Sequence, residues 1–373
     1  MINSLKDFQK VFFIGIAGAG MSALAQYLKG IDKNVSGSDR YFTPGNINET
    51  KNKLEAEGIV CFAQNGEGIN ASTQLVVVST AIEDTVFEVQ KAKELNIPII
   101  KRSELLALIS QSKKTIAVGG TSGKSTTVAM LFDILHQAGL QPGLISGAGL
   151  TRLIKQNKIG NADVGKGAWL IIEADESDGS IIQYKPEIAI LLNVDKDHKD
   201  LPELMQLFQQ FKSNSKVFIV NQSNKFATTL SQNIQHDFSS DESSNAGFVI
   251  KDFQQKGFQI SFTVKQKQFK LNALGKHNAE NALAAIAAAN FIGVDLKVCA
   301  DGLQHYEGIY RRHQIIGERN GVVLIDDYAH NPAKCAASIK ACQPVAEKLI
   351  AWFQPHGYAP TKFLRDDFVK EIA

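Results

Sequence analysis

A glycine-rich segment that ends in lysine and serine is the clearest chemical signal in this sequence. It lies between the strand-like residues 115–118 and a helix-like stretch, and it reads Gly119-Gly120-Thr121-Ser122-Gly123-Lys124-Ser125-Thr126. Backbone N–H groups in such a loop bind phosphate oxygens, Lys124 reaches the β- and γ-phosphates, and the Ser125 hydroxyl ligates magnesium. Val118 stands where the strict motif has its first glycine, so this is a compact variant; the flanking strand and helix disfavour a simple turn.

A second glycine-rich turn follows the first strand candidate and reads Gly15-Ile16-Ala17-Gly18-Ala19-Gly20-Met21. Glycines let a pyrophosphate approach the backbone, and the following helix N-terminus supplies oriented N–H donors. Roughly 20 residues on, a strand candidate ends in Ser38 and Asp39, where dinucleotide folds place an acidic ribose partner. The spacing is GxxGxG, so NAD is not the default ligand. A nucleotide-diphosphate site and a tight turn without ligand both remain open.

Four carboxylates follow another apolar strand candidate, at Glu173, Asp175, Glu176 and Asp178. Acids this close repel one another unless cations or hydrogen-bond donors lie near them. Beside a phosphate loop, magnesium is the natural counter-charge, and a solvated acidic turn is the alternative. His198, after the next apolar run, is a candidate metal ligand or phosphate contact, although a lone histidine is more often structural.

The elements that must position these residues alternate between strand and helix. Strand candidates cover residues 11–16, 34–37, 75–79, 115–118, 168–172 and 188–193, and helix candidates cover residues 22–28, 86–95, 125–138 and 282–289. Continuous apolar strands predict parallel sheets covered on both faces, and the alternation predicts doubly wound α/β units.

In the second half of the chain the strand–helix alternation is interrupted and then resumes. Residues 237–247 are polar and serine-rich, which predicts a loop, and residues 247–274 alternate like short antiparallel strands. After residue 317 the rhythm predicts strands at 322–326 and 349–353 and helices at 333–341 and 361–372.

We expect three domains, at residues 1–110, 111–315 and 316–373. The last has only about 60 residues, fewer than the roughly 100–150 of a free-standing doubly wound domain. The chain is therefore expected to stop inside its third domain.

The charge balance excludes several classes of function. Lysine and arginine total 40 and aspartate and glutamate 38, so the net charge is +2, which argues against a general nucleic-acid or membrane-surface binder. No apolar run reaches the ~18 residues of a membrane span, and no signal-peptide core precedes the first strand. These features predict a cytoplasmic protein. The four scattered cysteines predict free thiols.

Together these segments resemble the Mur ligases, the ATP-dependent amide-forming enzymes of peptidoglycan synthesis. The branch most similar comprises the ligases that add L-alanine to UDP-N-acetylmuramate and their muropeptide-ligase relatives. The order and spacing of the motifs carry the resemblance. Besides the two glycine loops, they are Ser36-Gly37-Ser38-Asp39, Glu173-Ala174-Asp175-Glu176-Ser177-Asp178, Asn193 with Asp197-His198, Gly275-Lys276-His277-Asn278-Ala279-Glu280-Asn281-Ala282, Arg311-Arg312, Asp326-Asp327-Tyr328-Ala329-His330-Asn331-Pro332 and Phe353-Gln354-Pro355-His356.

The resemblance implies a three-domain α/β architecture. It consists of a Rossmann-like N-terminal UDP-binding domain, a central P-loop ATPase domain with a parallel sheet and a small antiparallel sheet, and a partial Rossmann-like C-terminal domain. The implied UDP-sugar contacts are Gly15, Gly18, Ala19, Gly20 and Met21, with Ser38 and Asp39 near the nucleoside.

The resemblance also implies roles around ATP. The phosphates would lie on Gly120, Thr121, Ser122, Gly123, Lys124, Ser125 and Thr126, with His277, Asn278 and Asn281 on the adenine side. Mg2+ would be held by Ser125, Glu173 and His198, His198 alternatively serving the acyl-phosphate site. Arg311 or Arg312 would close onto the γ-phosphate, and Asp326, Tyr328 and His330 would help to close the site. The implied catalytic set is Lys124, His198, Arg311, Arg312 and His330.

The implied reaction is phosphoryl transfer from ATP to the lactyl carboxylate of UDP-N-acetylmuramate, followed by attack of an amino-acid amine on the acyl phosphate. The expected cofactors are ATP and Mg2+. The expected partners are the small-molecule substrates alone, with no nucleic acid and no membrane, and the expected state is a monomer or homodimer.

One segment departs from the family pattern. Alanine-adding ligases usually read His-Arg-Tyr-x-Arg after Gln-Pro, and this chain reads His356-Gly357-Tyr358-Ala359-Pro360. Neither glycine nor proline replaces a guanidinium, so the acceptor is open to question, with neutral loop drift as the alternative.

Three alternatives remain beside an amino-acid ligase. The first is a muropeptide ligase that attaches a preformed peptide. The second, because family members continue well past the position of residue 373, is a truncated nucleotide- or UDP-sugar-binding form without turnover. The third, an NAD-dependent dehydrogenase, is weakened by the GxxGxG spacing and the second phosphate loop.

Overall fold

The N-terminal part of the chain folds around a five-stranded parallel sheet. The computed structural model describes residues 2–43, 45–80, 82–195, 199–355 and 357–372. The strands are β1 (Lys10–Ile14), β2 (Asn34–Asp39), β3 (Val60–Ala63), β4 (Leu75–Val78) and β5 (Ile99–Lys101), and the helices are α1 (Ala19–Gly30), α2 (Glu49–Ala56), α3 (Phe87–Glu94) and α4 (Arg102–Ser110). The order β3-β2-β1-β4-β5 puts β1 at the centre, where four of its five residues are buried between helices.

A six-stranded sheet forms the core of the central part. Its elements are β6 (Lys114–Gly119), α5 (Lys124–Gln137), β7 (Gly143–Ile145), α6 (Thr151–Ile154), β8 (Ala162–Asp163), β9 (Trp169–Glu173), β10 (Ile188–Leu191), α7 (Leu201–Ser213) and β11 (Val217–Val220). The order is β11-β10-β6-β9-β7-β8, and only the edge strand β8 is antiparallel to its neighbour. The predicted parallel α/β core is thereby confirmed.

Smaller elements cover one end of this sheet. They are β12 (Phe238–Ser239), β13 (Phe248–Val249), β14 (Lys251–Lys256), β15 (Gln259–Val264), β16 (Lys267–Leu271), α8 (Lys276–Phe291) and α9 (Leu296–Gln304). Strands β14, β15 and β16 form the predicted antiparallel sheet. The predicted loop at 237–247 is wrong at its start, because Phe238 is fully buried and pairs with Phe248 in a two-stranded parallel ladder.

The C-terminal part contains an antiparallel pair and three helices: β17 (Gln314–Arg319), β18 (Val322–Asp326), α10 (Pro332–Cys342), α11 (Tyr358–Phe363) and α12 (Arg365–Ile372). The strand predicted at 349–353 is wrong. Within the described residues no strand runs beside it to accept its hydrogen bonds, and Ile350 and Trp352 are 78% and 94% exposed. The helix predicted at 361–372 is two helices that meet at Leu364.

In the part of the chain that the structure describes, four short 3-10 turns complete the secondary structure, at Leu5–Asp7, Ser180–Gln183, Ala227–Leu230 and Gln343–Val345. Among the described residues, no helix combines the length and the apolar character needed to cross a bilayer.

A buried polar contact joins the N-terminal and central parts. Asn161, beside β8, is only 2% exposed. Its amide nitrogen donates to Ala19 O at 2.7 Å and to Ser22 Oγ at 3.0 Å, and its amide oxygen accepts from Gln26 Nε2 at 2.8 Å. All three partners lie on α1, so a side chain of the central part fixes the helix that follows the first glycine loop.

We predict that Asn161→Ala lowers the free energy of unfolding by about 2–3 kcal/mol, because it removes three hydrogen bonds to α1, two of them to the buried side chains of Ser22 and Gln26. The matched control is Asn70→Ala, on an exposed loop where the Asn70 side chain accepts hydrogen bonds from Ser72 N and Ser72 Oγ. It should cost less than about 0.5 kcal/mol. Urea denaturation of both variants measures the difference, and equal losses would show that the contact is not a stabilising one.

Candidate active site

Three parallel strands of the central sheet end at one edge and bring three polar segments together. Val118 of β6 pairs with Glu173 of β9, and Gly119 of β6 pairs with Leu191 of β10. The phosphate loop after β6, the acidic segment after β9 and the Asn193 segment after β10 therefore lie side by side. This edge is where open α/β sheets bind their ligands.

The phosphate loop has a backbone that depends on its glycines. Gly120 has φ +134° and Gly123 has φ +86°, in the region that L side chains rarely adopt. A Cβ atom on Gly123 would come within 2.4 Å of Asn281 Oδ1. Asn193 holds the loop from the other side, since its Oδ1 accepts from Thr121 Oγ1 and from Ser122 N, both at 2.8 Å.

Lys124 makes the main charge contact of this loop. Its Nζ donates to Gly120 O at 2.6 Å and to Glu176 Oε2 at 2.8 Å, and the two side chains are 16% and 5% exposed. Burial raises the pKa of the Glu176 carboxyl group, while the Lys124 cation works in the opposite direction. The lysine is thus held at the mouth of the loop by a largely buried carboxylate.

Two of the predicted magnesium ligands lie on this edge. Ser125 stands in the first turn of α5, and Glu173 ends β9. Glu173 Oε1 accepts from Ser146 Oγ at 2.7 Å and from Gly147 N at 2.8 Å. The third predicted ligand, His198, lies outside the described residues, within which no group of three or more histidine, cysteine, aspartate or glutamate residues could hold a metal ion.

A cleft of about 1450 Å³ runs from this edge to the C-terminal part. The phosphate loop, Glu173, His277 and the two asparagines of α8 line it, together with Arg312 and Asp327. Asn278 and Asn281 are each 8% exposed; Asn278 donates to Leu274 O at 2.7 Å, and Asn281 Nδ2 donates to Asn278 Oδ1 at 3.3 Å. They are therefore fixed behind the loop.

His277 faces a side chain of the C-terminal part across this cleft. Its ring centroid lies 5.8 Å from that of His313, which in turn contacts Asp327 Oδ2 at 3.4 Å and Ser338 Oγ at 3.1 Å. The structure brings His277 into the cleft wall with Asn278 and Asn281, and their position on the adenine side stays a prediction.

The predicted closing residues of the C-terminal part cluster around Tyr328. The guanidinium carbons of Arg311 and Arg312 lie 5.2 Å and 5.4 Å from its ring centroid, and the ring of His330 lies 5.3 Å away. Arg311 also pairs with Asp326 at 3.2 Å. Of the predicted closing residues, only Arg312 lines the cleft.

The first glycine loop is organised by the end of β2. Gly15 N and Ile16 N donate to Ser38 O at 2.8 Å and 2.9 Å, and Ala17 N donates to Asp39 Oδ2 at 3.0 Å. The Ser38 hydroxyl donates to buried Glu88 at 2.7 Å, and burial raises the pKa of Glu88. In this structure Ser38 and Asp39 hold the loop itself, and Gly18 caps α1 so that Ala19, Gly20 and Met21 form its first turn.

Sequence reasoning missed roles that depend on distant partners. Glu176 was assigned only to an acidic cluster, yet it pairs with Lys124. The sequence motifs contain Asn193 but give it no role. Neither Asn161 nor Arg102, which pairs with Asp178, belongs to any of those motifs. A polar residue directly after an apolar strand signals Asn193. Nothing local in the sequence signals Asn161 or Arg102.

Comparison with known families identifies the class of protein that this fold and site define. The family model described as "Mur ligase family, catalytic domain" matches residues 10–114, "Mur ligase middle domain" matches residues 118–289, and "Mur ligase, glutamate ligase domain" matches residues 311–373. The chain belongs to the Mur ligase family, and it is an ATP-dependent amide ligase.

Individual relatives are more specific. The chain is 36% identical to a protein of Carboxydothermus hydrogenoformans named UDP-N-acetylmuramate–L-alanine ligase, over 97% of this chain and 79% of that protein. It is 34% identical to a protein of the same name from Geobacter sp. strain M21, over 97% and 80%.

Solved structures give the same result. The UDP-N-acetylmuramate–alanine ligase of Thermotoga maritima superposes with a TM-score of 0.84 at 26% identity, covering 98% of this chain and 83% of that one. The murein peptide ligase of Psychrobacter arcticus superposes with a TM-score of 0.74 at 25% identity, covering 91% and 77%. The predicted three-domain architecture is confirmed.

We predict that Lys124→Met separates two functions of the lysine. The substitution should weaken ATP binding more than about 100-fold and lower the free energy of unfolding by about 3 kcal/mol, because Glu176 is left buried without its cation. The control is Lys124→Met combined with Glu176→Gln, which should restore most of the stability but not the ATP affinity. Calorimetry with ATP and thermal unfolding measure the two quantities. ATP affinity near that of the wild type in the double variant would contradict a phosphate-binding role.

Proposed function

We propose that this chain joins L-alanine to UDP-N-acetylmuramate, with ATP as phosphoryl donor, as a step of peptidoglycan synthesis. The observation that carries the proposal is the agreement of relatives bearing that name, at 33–36% identity over nearly the whole chain. The site supports it independently. One glycine loop, Gly15–Met21, joins β1 to α1, the phosphate loop, Gly119–Thr126, joins β6 to α5, and the acidic segment after β9 lies between these two regions.

In this proposal the three units have separate tasks. Residues 1–110 bind the UDP-sugar, residues 111–315 bind ATP, and residues 316–373 contribute to the amino-acid side of the cleft. The chain's substrates are small molecules, and it works in the cytoplasm, where ATP and nucleotide sugars are available. It acts as a monomer or a homodimer.

The proposed reaction begins with transfer of the γ-phosphoryl group of ATP to the lactyl carboxylate. Lys124 leaves Glu176 to neutralise phosphate charge, and backbone N–H groups of the loop orient the phosphates. Arg312, in the cleft wall, supports the charge that develops on the γ-phosphate. The amine of the amino acid then attacks the acyl-phosphate carbon, and phosphate leaves.

The residues at the sheet edge fit a magnesium ion. Mg2+ in nucleotide sites is held by one or two protein oxygens together with phosphates and water, and Ser125 and Glu173 supply one hydroxyl and one carboxylate beside the loop. When bound, the ion would screen the negative charge of the phosphates during transfer. We include His198 as a proposed further ligand.

A peptide acceptor is the second candidate, and one backbone observation bears on it. Gly357, where the family usually has arginine, has φ +80°. An arginine would be strained in that conformation, so this backbone does not suit the side chain that the family usually has there. This observation favours a test with both amino acids and a peptide as acceptors.

We predict L-alanine-dependent phosphate release from ATP in the presence of Mg2+ and UDP-N-acetylmuramate. Glycine, L-serine and L-Ala-γ-D-Glu-meso-diaminopimelate are the comparison acceptors, and the product mass identifies the amide formed. EDTA should abolish release, and excess Mg2+ should restore it. Lys124→Met is the inactive control.

Other outcomes would change the assignment. Turnover with the tripeptide alone would replace the amino-acid ligase by a muropeptide ligase. No turnover with any acceptor, while calorimetry still detects ATP and UDP-N-acetylmuramate, would leave a binding protein without ligase activity. Absence of UDP-N-acetylmuramate binding would contradict the proposal altogether.

A further inference from the structure

Arg102 lies against the first glycine loop although it is far from it in sequence. It is the first residue of α4, directly after strand β5. A Cβ atom built on Gly20 would stand 3.0 Å from Arg102 Cδ and 3.1 Å from Arg102 Nη1. The arginine therefore crosses the first turn of α1 beside Gly20, which leaves room for it because it has no side chain.

The guanidinium also reaches the central part of the chain. Arg102 Nη2 pairs with Asp178 Oδ2 at 3.2 Å, and the two side chains are 24% and 18% exposed. Asp178 is itself fixed, because its Oδ1 accepts from Ser180 N at 2.9 Å. Neither partner is sealed from solvent, so a ligand can reach the cation without unfolding the contact.

Asp178 belongs to the same acidic segment that holds the phosphate-loop lysine. Two residues earlier, Glu176 binds Lys124. At the residue before Glu176, burial acts to raise the pKa of Asp175, but Lys124, the hydrogen bonds of Ser177 and Arg102 together hold it below its ordinary value. One short segment therefore pairs with the lysine of the phosphate loop and with the arginine that lies beside the first glycine loop.

The first turn of α1 presents backbone N–H donors and contains no acidic residue. Its leading N–H groups have no acceptor within the helix, and the helix dipole favours negative charge at this end. A guanidinium is suited to phosphate because it presents several N–H donors in one plane. Arg102 stands beside this turn, paired in the structure to a carboxylate that a phosphate could replace.

We propose that Arg102 is a binding residue for the diphosphate of the UDP-sugar, and that it exchanges Asp178 for that diphosphate when the nucleotide binds. The inference deepens the proposed function and rests on it for the identity of the ligand. In this proposal Asp178 holds the arginine in place before the nucleotide binds, and it competes with the diphosphate for the guanidinium.

The exchange predicts opposite effects for the two partners. Arg102→Gln should weaken binding of UDP-N-acetylmuramate by about 10- to 100-fold, since it removes a charge-assisted hydrogen bond to phosphate. Asp178→Asn should leave this affinity unchanged or raise it a few-fold, because it frees the same arginine. Calorimetric titration of the full chain measures both, with ATP as a second ligand whose affinity should change less than about two-fold in either variant.

A purely structural ion pair makes a different prediction. If Arg102 only fastened the two parts together, both substitutions would break the pair and weaken nucleotide binding alike, which would overturn the proposal. Arg102→Lys keeps the positive charge without the planar set of N–H donors, and it should retain part of the affinity for UDP-N-acetylmuramate. Should Arg102→Gln fail to fold, Asp178→Asn and Arg102→Lys still decide between the two interpretations.

The choice of ligand tests which anion is bound. UDP and UDP-N-acetylglucosamine carry the diphosphate but not the lactyl carboxylate, so Arg102→Gln should weaken all three nucleotides. Weakening confined to UDP-N-acetylmuramate would overturn the diphosphate contact in favour of the carboxylate. Lys93→Gln, which removes an exposed ion pair with Asp84 in the same part of the chain, is the matched control and should leave the affinities unchanged.

Failure of the inference is distinct from failure of the proposed function. Wild-type protein that binds no UDP-sugar would contradict the function. Wild-type protein that binds it, with an unchanged affinity in Arg102→Gln, would contradict only the role of Arg102.

Discussion

The buried ion pair between Lys124 and Glu176 is the interaction on which the active-site edge depends. Glu176 is 5% exposed, and a carboxylate so far from water stays charged only beside a cation. The pair draws the segment after β9 against the loop after β6 and gives the lysine a fixed position before any nucleotide arrives. A nucleotide phosphate that takes the lysine from Glu176 exchanges one anion for another, so the site needs little rearrangement to bind.

The same segment contacts both glycine-rich regions, because Glu176 pairs with Lys124 of the phosphate loop and Asp178 pairs with Arg102, which lies beside Gly20 of the first glycine loop. Its four carboxylates are distributed along the edge: Glu173 accepts from Ser146 and Gly147, Asp175 from Ser177 N, Glu176 from Lys124, and Asp178 from Arg102. Each acid therefore has a separate donor, which reduces the repulsion that four neighbouring carboxylates would otherwise produce. The segment is an electrostatic connection between the phosphate loop and the region of the first glycine loop.

Whether a feature can be predicted from the sequence depends on how far apart along the chain the residues that form it lie. The phosphate loop and the strand–helix units depend on neighbouring residues, and both were predicted. Asn161 donates to Ala19 across 142 residues and Arg102 pairs with Asp178 across 76, so no local spacing contains them. The strand predicted at 349–353 failed for a related reason: apolar residues form a strand only beside another strand, and the pattern of one segment does not say whether a partner is present.

The two junctions of the molecule differ in a way that bears on its movements. The N-terminal and central parts share one hydrophobic cluster, in which Phe13 and Tyr27 pack in continuity with Leu170 and Phe208, and Asn161 adds buried hydrogen bonds. Among the described residues, the hydrophobic cluster that joins the C-terminal part to the central part has three buried members, Leu274, Ala341 and Cys342, and it lies beside an open cleft. A small interface of this kind permits relative motion, whereas a shared core resists it. Closure over ATP is therefore expected at the second junction, with the UDP-sugar and ATP loops moving as one body.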